Sequence, residues 1–294
     1  LNTMSVSAGA KVQRRTSGLS DKVRKRIEIT ILSLPALIMF LGFVILPVFM
    51  AGYYGFFKWK GYGKPIVNGQ FIGFENYKII LTDPNFQQAL GHTLFVVVAS
   101  LVIQGPLAIL FALLLNQRFK GRALIRTLIF VPYVVSEVIV GTGWSLILQT
   151  TGALNALLKK IGLGGADWIS DPKIAIWTLM FIISWKYIGF AVILMIAGMQ
   201  SIPEDLYEAA KVDGAGFWRQ QWSITLPLLG PTIRIWAFMS IIGSLQLFDL
   251  VYIIWGQYVS STAGTSTMAT YMVREGRLAN NYGYGSAVAV VIFI

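Results

Sequence analysis

The sequence predicts an all-α, polytopic membrane protein with six transmembrane helices. Three observations predict it. The first is composition: of 294 residues, 55% are hydrophobic and 13% charged, and the mean hydropathy is +0.66. A soluble domain carries roughly a quarter of its residues as charges. The second is that the apolar residues fall into runs of bilayer-crossing length, about 20 residues. The third is that Lys and Arg divide unevenly between alternate loops, fourteen on one side and nine on the other, with arginine nine against two. The basic side is the cytoplasmic one.

The elements follow in chain order. Residues 1–28 are polar and basic and hold no small-residue cleavage site, so they read as a flexible cytoplasmic tail. Residues 29–294 form one transmembrane domain. Runs 29–57 and 93–117 contain no charge, 127–149 only Glu137, 174–199 only Lys186, and 235–258 only Asp249. The sixth run, 282–294, is too short to cross and reads as an incomplete last helix. The net charge of +11 is accounted for by this topology and by anionic lipid headgroups. No basic stripe interleaves with aromatics, so no nucleic-acid partner is expected. The absence of cysteine excludes disulfides and thiolate metal sites. His92, the single histidine, cannot build a metal cluster and is expected to be solvated. Pro35, Pro47, Pro106 and Pro132 should bend their helices, and Gly105 and Gly141-x-Gly143 allow close packing.

Between the fourth and fifth runs, residues 201–231 predict a cytoplasmic helix–turn–helix. Ser201 and Glu204 have capping-box spacing, with Pro203 in the first turn. Glu208, Ala209 and Ala210 follow, and the small alanines let another backbone approach. Asp213 and Gly214 supply the turn. Phe217 to Leu226 is a second helical segment carrying Phe217, Trp218 and Trp222, which Pro227 should end. The element reads as a docking site for a soluble partner. The competing reading, a helix lying on the lipid surface, needs neither the Ala-Ala pair nor the Asp-Gly-Ala turn.

At these residues the chain resembles the EAA loop of permease subunits in ABC importers: Glu208-Ala209-Ala210, Asp213-Gly214-Ala215, Trp222, Ile224, Leu226-Pro227 and Pro231. Phe71-Ile72-Gly73-Phe74-Glu75-Asn76-Tyr77, Asp83-Pro84, Phe86 and Thr93 are similar to the first external loop of sugar-type permeases, with His92 where the family usually has Asn. Leu113 to Asn116, Gly121, Arg126, Pro132, Trp144, Gly152 to Asn155, Trp168 to Pro172 and Tyr282 to Ala287 extend the similarity over roughly residues 30–294. Ser260 to Gly264 depart from it, because many relatives have a Gly-Gly-Pro turn there.

The resemblance implies a type I ABC importer permease fold in a bacterial cytoplasmic (inner) membrane. It implies half of a path for a sugar or oligosaccharide delivered by an external binding protein. It also implies a second homologous permease and two copies of an ABC ATPase, with Glu208, Ala209, Ala210, Asp213 and Gly214 as the coupling residues. The chain lacks a Gly-x-x-x-x-Gly-Lys-[Ser/Thr] loop. It is therefore expected to be non-catalytic and to bind no cofactor, with ATP and Mg on the partner ATPase.

Polar residues inside apolar runs mark a candidate path: Trp185, Lys186, Tyr187 and Phe190 on the fourth run, and Ser244, Gln246 and Asp249 on the fifth. Aromatic faces and hydrogen-bonding groups suit sugars. Tyr187 and Phe190 read equally as packing aromatics, and Gln246 as an inter-helix hydrogen bond. Lys186 has several readings: an ion pair with Asp249 or Glu137, a contact with an acidic (uronate-containing) saccharide, snorkelling, or a contact with the partner permease. The alternative function is an ion-coupled secondary transporter of a small polar solute. That reading would need an intramembrane carboxylate relay and no nucleotide-binding partner.

Overall fold

A computed structural model describes residues 21–117 and 119–294; the side chains of Asp21 and of residues 257–261 are outside the description. Residues 1–20 of the expected tail and Arg118 therefore lie outside the described residues, as do the side chains of Ser260 and Ser261. Lys22–Tyr54, Pro84–Asn116, Ala175–Gln200 and Gly230–Gly256 are long and apolar enough to cross a bilayer. A fifth candidate is a pair, Arg122–Val134 and Glu137–Ile147, bent by 96°. Tyr282–Phe293 is apolar but shorter. Among the described residues four to five helices thus reach crossing length where six were expected: one run is broken, which hydropathy does not register, and Tyr282–Phe293 is short, as its run predicts.

The chain divides into two compact units, 1–50 and 51–294. The described part of the first is helical from Asp21, through a π turn at Leu41–Ile45, and onward from Leu46. Residues 21–28, assigned above to the tail, are helix. Arg24 and Glu28, one turn apart, pair at 2.9 Å on it.

Three of the prolines share a device. π turns at Leu41–Ile45, Ser100–Gln104 and Gln221–Thr225 each stand just before Pro47, Pro106 and Pro227. In each, the residue preceding the proline donates its N–H five residues back. A proline supplies no N–H and its ring crowds the carbonyl four residues earlier. The wider turn absorbs both faults without ending the helix. Pro227 accordingly does not stop its helix, which continues through Leu228, and Leu229 N–H still reaches Thr225 O at 2.8 Å.

In the second unit the second long helix starts at Pro84, well before residue 93. Asp83 caps it, accepting from Asn85 N–H at 2.8 Å. The fifth run is interrupted: Gly230–Leu245 ends at Gln246, and a new helix starts at Asp249. Among the described residues the one departure from all-α is a two-residue antiparallel pair, Phe57–Lys58 with Gln70–Phe71. Asn76 holds that corner, donating to Gly55 O and Phe57 O at 2.8 and 3.1 Å.

Ala175–Gln200 is the hub of the core. Leu179 and Ile182 pack with Val96, Leu250, Val251 and Trp255. One turn pair further on, Val192, Met195 and Ile196 pack with Ala108, Ala112, Leu229 and Trp236. A third cluster, Ile80, Phe86, Tyr271 and Val288, closes the outer end.

Candidate functional site

The element at 201–231 is built from local rules. Glu204–Val212 is helical, with Glu204 and Asp205 in the first turn and Lys211 in the last, as the helix dipole favours. Gly214 has φ +75°. Its N–H reaches Lys211 O at 3.0 Å, and Ala215 N–H reaches Ala210 O at 2.8 Å. This is the double bond pattern of a Schellman C-cap, which needs a left-handed residue. The capping box does not form. Ser201 has helical backbone angles at the end of the preceding helix, and its hydroxyl donates back to Gly198 O at 2.7 Å. Pro203, not Ser201, is the N-cap.

No residue of Glu204–Val212 is buried. Glu208, Ala209, Asp213 and Gly214 are exposed and Ala210 is half-buried. Val212, Trp218 and Trp222 expose 89%, 58% and 69% of their surface, apolar area left uncovered by the described residues. The two legs are joined by residues the sequence reading did not single out. Tyr207 OH and Thr225 Oγ1 are 2.9 Å apart. Thr225 donates to Gln221 Oε1 at 2.7 Å, and Gln220 Nε2 donates to Ala215 O at 2.7 Å.

The second feature is a cavity of about 200 Å³ between the helices, room for several waters at roughly 30 Å³ each. Tyr187, Phe190 and Ser244, three of the residues singled out for a path, line it. Tyr133 stacks on Phe190 with ring centres 5.0 Å apart and stands 6.2 Å from Tyr187. Ser100, Gln104, Trp236 and Ser240 complete the wall. Ser240 bonds Ser100 at 3.0 Å. Among the described residues no protein group bonds the Gln104 amide, although the residue is buried. These residues had a readable signal: Ser100/Gln104 and Ser240/Ser244 are polar pairs one helical turn apart in apolar runs.

The other predicted path residues lie elsewhere. Trp185 packs edge-on against Trp144 at 5.5 Å. Gln246 and Asp249 are exposed; Gln246 caps one helix, and Asp249 starts the next, where the dipole favours a carboxylate. Lys186 is 2% exposed, is not among the cavity's lining residues and forms no ion pair with Asp249 or Glu137, although the Glu137 charge is near enough to act on it. Its ammonium donates to Val135 O at 2.7 Å, with Pro132 O at 3.5 Å. Those carbonyls lie where Arg122–Val134 ends, and the last turn of a helix leaves its carbonyls without intrahelical partners. Glu137 instead accepts from the Tyr187 hydroxyl.

At the outer end, His92 is partly buried rather than solvated, with Nδ1 3.0 Å from Ser266 O. Thr93 Oγ1 accepts from Met268 N–H at 3.0 Å. Tyr271 donates to Asp83. Burial pushes the Asp83 carboxyl up, but the hydrogen bonds from Tyr271 and Asn85 outweigh it and hold it below the usual carboxylate range.

Comparison with known proteins places this geometry. The model of the family described as binding-protein-dependent transport system inner membrane component matches residues 104–294. The trehalose/maltose transport system permease protein MalF of Thermococcus litoralis is 31% identical over 265 residues, 89% of this chain and 87% of that one. The arabinooligosaccharides transport system permease protein AraP of Bacillus subtilis is 29% identical, over 88% and 82% of the two chains. A crystal structure of a bacterial alginate ABC transporter, in complex with alginate pentasaccharide-bound periplasmic protein, superposes with TM-score 0.79 at 27% identity, covering 92% of this chain and 90% of that one.

Proposed function

We propose, from the premise that this chain belongs to the family of binding-protein-dependent transport system inner membrane components, that it forms half of the translocation path of an ATP-driven saccharide importer. It is a non-catalytic, multi-pass inner-membrane permease. The finer reading has six spans, the bent pair counting as one and Tyr282–Phe293 as part of another, with the N-terminus cytoplasmic. The partners are a second homologous permease, two ABC ATPase subunits that carry ATP and Mg, and an external binding protein.

The observation that carries the reading is the element at 201–231. Its turn is satisfied internally while its apolar and aromatic face stands exposed. That combination suits a rigid docking surface, which Ala209 and Ala210 let a groove approach closely. The cavity supports the solute class. Tyr133, Tyr187, Phe190 and Trp236 offer ring faces to sugar C–H surfaces, and Gln104 and Ser244 offer partners to hydroxyls. The solutes named for the three relatives described above, from maltose to alginate, are saccharides. An acidic saccharide, as alginate is described, would have to meet its cation outside these lining residues, because Lys186 is held by backbone carbonyls.

Purification of the complex tests the assignment. Ala210→Cys, paired with a cysteine placed in the co-purifying ATPase, should crosslink on oxidation, and the co-purifying binding protein should bind a saccharide in a ligand screen. Co-purification of no nucleotide-binding subunit would overturn it.

A further inference from the structure

We propose that Lys186 and Tyr187 are positioning residues of transport: together they clamp the break in the third span and so hold the aromatic wall of the cavity. The proposal rests on the reading of that cavity as the solute's path.

The break offers two helix ends. Arg122–Val134 finishes with carbonyls that need donors, and Glu137–Ile147 begins with Ser136 as N-cap and Glu137 in its first turn. Neighbouring residues on the buried fourth span take one end each. The Lys186 ammonium sits on the carbonyls of the finishing helix, the end that favours positive charge. The Tyr187 hydroxyl holds the carboxylate of the starting helix, the end that favours negative charge. Among the described residues no carboxylate pairs with Lys186. Its hydrogen bonds to those carbonyls last only while the break stays where it is, and a buried ammonium that loses its partners is strongly disfavoured.

The clamp has leverage on the cavity. Tyr133 lies between the two residues whose carbonyls face Lys186, and Tyr133, Tyr187 and Phe190 all line the wall. Just beyond, the helices touch backbone to backbone: a methyl on Gly189 would lie 2.1 Å from the Ile129 carbonyl oxygen. With that contact fixed, displacement of the wall has to pass through the break.

The chain contains no cysteine, so Met239→Cys gives a reporter in the cavity lining. The whole co-purified complex is reconstituted in liposomes. Modification of position 239 by a membrane-impermeant maleimide is read by mass spectrometry, beside uptake per ATP hydrolysed. In the Met239→Cys parent, binding protein and ATP should change the labelling rate; no change would mean the cavity is not in the path, which is a failure of the underlying reading and not of the clamp. Lys186→Met and Tyr187→Phe should each raise labelling, and lower uptake per ATP, by about tenfold, the scale of one lost charge-assisted hydrogen bond. Lys186→Arg keeps a charged donor and should restore both toward the parent. If Lys186→Met fails to assemble, Tyr187→Phe, which removes one oxygen, carries the test. Lower yield with unchanged labelling and coupling in the assembled fraction would overturn the proposal, because a merely structural role predicts that result.

Discussion

Two stretches on either side of Gln200 carry polar groups among apolar helices and use them in opposite ways. At 204–216 the backbone is closed on itself by the Gly214 turn, and the side chains are left facing outward. At 185–190 the polar side chains are taken up inside the chain: Lys186 by carbonyls of the third span, Tyr187 by Glu137. The first is the surface proposed to meet a partner outside the chain. The second ties the chain's own helices together and leaves aromatic side chains lining the cavity. On this reading polar residues in a membrane protein do not all mark the path; some are proposed to hold its walls.

The largest expected effect breaks the outward-facing half. Gly214→Val forces a β-branched residue into a left-handed conformation at φ +75°, a strain of about 1–3 kcal/mol. Together with the lost Schellman turn it should abolish ATP-coupled uptake while the chain still inserts. Ala210→Trp should do the same by blocking close approach. Retention of full coupled uptake by Ala210→Trp would show that nothing docks there.

Next in size is the join between the two legs. Thr225→Val removes the hydroxyl shared by Tyr207 and Gln221 at a site 1% exposed. Leaving such a group unpaired costs about 1–3 kcal/mol. The purified complex should melt several degrees lower and lose coupling only in proportion to the unfolded fraction. A coupling defect without a melting shift would place Thr225 in the docking surface itself.

A smaller effect sharpens the inward-facing half. Gln104→Leu removes an amide that faces the cavity without a protein partner. One net hydrogen bond is worth about 0.5–1.5 kcal/mol, so half-maximal uptake should require about two- to tenfold more solute-loaded binding protein, with assembly unchanged. An unchanged transport curve would remove Gln104 from solute contact.

The smallest concerns the outer end. Asp83 has its carboxyl held low by the net effect of its hydrogen bonds. Its contribution to stability is present above the unfolded carboxylate range, about pH 4, and is lost as pH falls through the lower native value. Melting temperature should decline below about pH 4, and Asp83→Asn should flatten that decline.

What was legible in the sequence follows the same division. The 201–216 turn could be read because Gly214, the alanines and the charge order act within one or two helical turns. The uncharged runs gave the helices for the same reason. A bend at Pro132 was expected, but the break at residues 135–136 could not be read, because Ser136 is ordinary in an apolar run and the 96° bend is braced by residues fifty or more positions later. The role of Lys186 was missed with it: carbonyl partners exist only once that helix has broken, and a search for carboxylates does not find them. Ser201 was misread because its spacing to Glu204 fits a cap, whereas its position closes the preceding helix. Pro227 was misread because a π turn can absorb a proline.

The central claim is that this chain moves solute only when a separate ATPase works on its cytoplasmic loop. Reconstitution in liposomes measures this directly: uptake by the chain alone under a proton gradient, against uptake by the full complex with ATP and loaded binding protein. The account predicts no uptake in the first case and ATP-dependent uptake in the second, lost on Gly214→Val. Proton-driven uptake by the isolated chain would contradict it.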